Sequence, residues 1–75
     1  MEIKNQIVAM FKKRIAEGKS VSAASTFSFT DFSEMTFDEF KEICTELKSY
    51  GWINKRYMRS FTLSDDVIED IMADL

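Results

Sequence analysis

Apolar residues recur along the chain with two different periods. Between residues 2 and 17, Ile3, Ile7, Met10, Phe11 and Ile15 fall near helical spacing on one stripe, which predicts an amphipathic helix. Lys12, Lys13 and Arg14 stand in its last turns, where cations suit the negative end of the helix dipole. Gly18 follows as a residue able to take the left-handed conformation past a helix end. Over residues 19–35 the period changes to two. Val21, Ala23, Ser25, Phe27 and Phe29 alternate with Ser22, Ala24, Thr26 and Ser28, which predicts a short strand. Ser28 or Thr30 is then placed to cap a brief helix through Asp31, Phe32, Ser33 and Glu34. Neither element can extend far, so this stretch reads as strand or helix.

Helical spacing returns at residues 37–50. Thr36 and Glu39 form a capping box, Phe37, Phe40, Ile43, Cys44, Leu47 and Tyr50 make the stripe expected to be buried, and Gly51 ends the helix. Trp52-Ile53 and Phe61-Thr62-Leu63 then read as two strands. The basic connection Asn54-Lys55-Arg56-Tyr57-Met58-Arg59 joins them as a hairpin, with no Asn-Gly or Asp-Gly to fix its turn. Ser64 is expected to cap a last helix with Asp65 and Asp66 in its first turn and Val67, Ile68, Ile71, Met72 and Leu75 on its apolar face.

The phrase Glu46-Leu47-Lys48-Ser49-Tyr50-Gly51-Trp52-Ile53, followed by Phe61-Thr62-Leu63-Ser64, resembles the winged helix-turn-helix family. The resemblance implies an α+β, mainly helical domain over residues 1–75, of three to four helices plus a β-hairpin wing. It also implies that residues 37–50 are the helix that enters a DNA major groove, and that wing cations touch phosphate. One feature departs from the family's pattern. The outward residues of that helix include Asp38, Glu39, Glu42 and Glu46, relieved only by Lys41 and Lys48, and phosphate repels carboxylates.

Composition narrows the chemistry. Seventy-five residues with an apolar fraction of 45 % suit one small domain with a thin core. There is no His and a single Cys, which removes His-dependent triads, His-based zinc sites and any internal disulfide. Two glycines allow no phosphate-cradling loop of the usual kind. No catalytic pairing, cofactor or metal site is implied, and Cys44, on the apolar stripe, is expected to be inert. No apolar run spans a membrane and the first fifteen residues do not form a signal peptide, so a cytoplasmic protein is expected. The net charge of −3 argues against nonspecific coating of nucleic acid. It conceals strong banding: residues 1–20 carry +3, 21–47 carry −5, 48–63 carry +4 and 64–75 carry −5, which sum to −3.

Three candidate surfaces follow. Lys48, Lys55, Arg56, Tyr57 and Arg59 form the wing set for nucleic acid, with DNA as the expected partner. Asp38, Glu39, Glu42 and Glu46 form an acidic face for a basic protein partner, in the manner of a small inhibitor or adaptor of the kind common in phages and mobile elements. Ile68, Ile71, Met72 and Leu75 are the natural homodimer element, unless the same face only closes the monomer's core. Lys4, Lys12, Lys13, Arg14 and Lys19 form a second basic set, expected mainly to solvate the first helix. Two functions stand side by side: a small non-enzymatic nucleic-acid-binding regulator, or a protein-interaction module on the same fold.

Overall fold

Both glycines close helices in a computed structural model of the chain, which describes residues 2–75. Helix α1 (Glu2–Ala16) buries Ile3, Ile7 and Phe11 and ends at Gly18, whose φ is 88°. There the amide of Gly18 donates to the Ile15 carbonyl and that of Lys19 to the Arg14 carbonyl, a Schellman ending. Gly51 (φ 74°) repeats the geometry, with Gly51 N–H on the Lys48 carbonyl and Trp52 N–H on that of Leu47.

The segment expected to alternate as a strand from Val21 to Phe29 is divided. Val21–Ala24 is a single helical turn, α2, because the Ser20 hydroxyl caps it by accepting from the Ala23 amide at 3.2 Å. Only Thr26–Ser28 is extended, as β1. The brief helix expected through Asp31–Glu34 is instead one 3-10 turn, Phe29–Asp31, held by the Asp31 carboxylate accepting from the Ser28 amide at 2.8 Å.

Helix α3 (Phe37–Ser49) has the capping box read from Thr36 and Glu39. It buries Phe40, Cys44 and Leu47, whereas Tyr50 is 60 % exposed. Tyr50 is the C-cap residue, and the chain turns there before its ring can reach the core. Strands β2 (Ile53–Arg56) and β3 (Ser60–Leu63) form the hairpin, and β1 joins the far side of β3, giving an antiparallel sheet of order β1-β3-β2. The fold is therefore α+β: among the described residues, four α-helices with a three-stranded antiparallel sheet, consistent with a small winged-helix-like domain.

Phenylalanines fill the core between sheet and α3. Phe27 and Phe61 are cross-strand neighbours with rings 5.6 Å apart, and Phe32 and Phe40 pack on Phe61 at 6.3 and 6.0 Å. Helix α4 (Asp65–Ala73) buries Val67 and Ile71. Ser64 does sit at its N-cap, but its hydroxyl makes no capping bond and is buried without a partner. Of the set expected to pair two copies, Ile71 is only 5 % exposed and Ile68 is half-buried against the core, so both help to close the monomer. Only Met72 and Leu75 of that set lie outside. Among the described residues no helix is long and apolar enough to cross a membrane.

Candidate nucleic-acid interface and the opposite flank of the long helix

The hairpin is present but is not a free finger. Its turn is tight: the Tyr57 amide donates to the Ser60 carbonyl at 2.8 Å, leaving Met58 and Arg59 as the connection. Among the described residues no non-glycine has positive φ, so this turn avoids the mirror-image types that usually close such hairpins. Its tip is tied to the body where the Phe29 amide donates to the Arg59 carbonyl at 2.7 Å. Tyr57 and Met58 are the exposed tip, Met58 at 80 %.

The strand itself decides where the cations go. Side chains alternate with period two, so Ile53 and Arg56 would face opposite sides of a regular strand. A bulge between Ile53 and Lys55 shifts the register: Ile53 lies opposite Leu63, Lys55 opposite Thr62 and Arg56 opposite Phe61. Ile53 and Arg56 thus both oppose inward residues of β3, and Lys55 opposes an outward one. Arg56 accordingly turns back onto α3, where its guanidinium donates to the Thr45 hydroxyl at 3.3 Å and to the Lys41 carbonyl at 3.4 Å. Arg59 lies over the Phe37 ring at 5.0 Å, and the Lys41 ammonium covers the same ring at 5.3 Å.

Helical geometry completes the flank. Lys41 and Lys48 are seven residues apart, about two turns, and share one side of α3. Arg56 lies along that side and Arg59 lies over Phe37, so Lys41, Lys48, Arg56 and Arg59 gather on one flank of helix and hairpin, while Lys55 stands on the outward face of β2. Lys41 pairs with Asp38 at 3.4 Å, whereas the other four have no ion-pair partner among the described residues. Lys41 lies outside the wing set that the sequence suggests. The seven-residue spacing from Lys48 signals its place, but Arg56 folding back joins the two only in three dimensions.

Glu39 and Glu46 are also seven residues apart, and two positions away from Lys41 and Lys48. This places them about 160° round the helix from the lysines. Both line a groove of about 660 Å³ between α1, residues 31–35 and α3, floored by Ile3, Met10, Phe32, Met35 and Ile43. Asp38 and Glu42 lie on the crest between the two flanks. Glu39 is partly committed, since the Thr36 amide and hydroxyl both donate to its carboxylate, at 3.1 and 2.9 Å. Those bonds, the backbone one first, hold its pKa below the ordinary glutamate value.

The second basic set divides in the structure. Arg14 is not a solvating residue: its side chain is 17 % exposed and donates to the carbonyls of Thr26 (2.7 Å) and Ala24 (3.4 Å). It also pairs with Asp31 at 3.1 Å and lies over the Phe27 ring. Lys12 bridges to Asp74, the C-cap of α4, at 3.0 Å, and Lys4 lies over the rings of Tyr50 and Trp52. Cys44 is buried, and desolvation raises its pKa against the opposing pull of the Arg56 charge, so the thiol stays protonated near neutral pH. Comparison with models of protein families, with curated proteins and with solved structures gives no match.

Proposed function

We propose that the chain is a small, non-enzymatic, cytoplasmic regulator of winged-helix type that binds DNA through phosphate contacts from the wing-side flank of α3. The observation that carries this reading is the gathering of Lys41, Lys48, Arg56 and Arg59 on one side, three of them without an ion-pair partner among the described residues, with exposed Lys55 on the outward face of the adjoining strand. Lys48 and Lys55 are exposed and supply further positive charge. Arg56 is held in a fixed direction by α3, which reduces the entropy lost when a phosphate arrives. Tyr57, exposed at the tip, offers a ring for stacking on a base or sugar. The carboxylates on the other side of α3 disfavour deep insertion of the helix into a groove. The contacts are therefore to backbone, with little reading of base sequence.

The test is fluorescence anisotropy of a labelled 20-base-pair duplex of mixed sequence. Binding is expected near 50 mM salt, with log affinity falling against log salt at a slope of about −3 to −4. Lys48→Glu with Lys55→Glu should remove binding at that salt while leaving the fold intact, since both side chains are exposed. Absence of binding by the unaltered protein at 50 mM salt, or a salt slope near zero, rules the reading out.

A further inference from the structure

The groove on the opposite flank has features that the DNA reading does not use. Its floor is apolar and adaptable, with Met10, Met35 and Ile43 only partly buried against the core. Carboxylates stand at both ends. Helix α1 runs antiparallel to α3: Lys4, near its start, lies over Tyr50 and Trp52 past the end of α3, and Arg14, near its end, pairs with Asp31 ahead of the start of α3. Glu2 therefore meets the Glu46 end of the groove, and Glu34 the Glu39 end. Among the described residues Glu2, Glu34 and Glu46 have no ion-pair partner.

The geometry points to this groove as the docking site for a short basic amphipathic helix of a partner protein. Charge complementarity selects the sign: a cation at each end meets carboxylates otherwise left facing one another across apolar surface. Spacing selects the form. Glu39 and Glu46 stand seven residues apart, roughly 10 Å along α3, which matches Lys or Arg residues two turns apart on a docking helix with apolar residues between them. The walls are two helices and a connecting segment, so no strand edge is offered for an extended peptide to pair with. The protein then carries two binding flanks on one helix, DNA on one side and a basic helix on the other. The second does not rest on the first.

The experiment is a titration of the full chain with a labelled 15-residue peptide of Leu and Lys in helical amphipathic order, followed by anisotropy and by ¹H–¹⁵N chemical shifts. Micromolar binding is expected, with shifts concentrated at residues 2–10, 31–35 and 39–46. Glu34→Lys with Glu46→Lys, both exposed positions, should weaken it at least tenfold with circular dichroism unchanged. Lys48→Glu with Lys55→Glu should leave it intact or tighten it, which separates this outcome from any failure of DNA binding. The proposal is overturned by no binding up to 1 mM, by undiminished binding to the Glu34→Lys/Glu46→Lys protein, by equal binding of a Leu/Glu peptide of the same pattern, or by shifts centred on α4 or the hairpin.

Discussion

The two flanks of α3 are built from the same thirteen residues and one helical period, yet they are supported in different ways. On the wing side the cations are placed by distant contacts. Arg56 reaches α3 only because a bulge in β2 turns it inward, and Arg59 rests on Phe37, more than twenty residues earlier in the chain. On the groove side the carboxylates are placed by α3 itself, with Glu39 locked locally by Thr36. The wing flank therefore depends on the register of the sheet, and the groove flank on the seating of α3 against α1 and residues 31–35. Perturbations can separate them on that basis.

The largest effect is expected where both flanks share a foundation. Phe40 is 1 % exposed and packs against Phe29, Phe32 and Phe61, so Phe40→Ala should cost about 3–5 kcal/mol in urea unfolding and weaken both flanks together. Arg14→Met comes next, at about 2 kcal/mol, because it removes the guanidinium that donates to the carbonyls of Thr26 and Ala24 and takes away the ion-pair partner of Asp31. Its functional consequence should fall on the groove, whose far wall begins at Asp31, more than on the hairpin.

Arg56→Ala sharpens the contrast from the other side. It removes the guanidinium that β2 directs onto α3, and DNA affinity should fall with a salt slope shallower by about one. Peptide binding should not change. The smallest effect belongs to the local cap. Thr36→Ala should cost about 1 kcal/mol in thermal unfolding. Because the folded pKa of Glu39 is lowered, its stabilising contribution is fully present above the ordinary carboxylate pKa of about 4.3 and is lost as pH falls through the lowered value. Melting curves between pH 6 and 2 should show Glu39→Gln with a shallower acid-side decline than the unaltered protein.

What the chain discloses without a structure follows the same divide. Thr36, Glu39, Gly18 and Gly51 act within one or two turns of themselves, and the helix ends they mark are where local chemistry puts them. The hairpin, too, is legible from the polar run between two apolar pairs. Residues 21–28 mislead because Ser and Ala alternate with larger residues by coincidence, while the Ser20 cap favours a helical turn and leaves three residues for β1. The roles of Arg14 and Arg56 are not written locally at all. Their acceptors lie 10 to 15 residues away and become neighbours only once sheet and helices pack. On the apolar face of α4, Ile71 closes the core, whereas Met72 and Leu75 stay exposed, a division that the apolar spacing alone does not show.

The division of α3 into two flanks is tested most directly by one titration of labelled duplex DNA at 50 mM salt against three proteins: unaltered, Lys48→Glu/Lys55→Glu, and Glu42→Lys/Glu46→Lys. We expect micromolar binding by the first, none by the second, and binding at least as tight by the third, since its changes remove repulsion without touching a phosphate contact. Loss of binding on the carboxylate changes, or its survival when Lys48 and Lys55 are reversed, would contradict the assignment of DNA to the wing side.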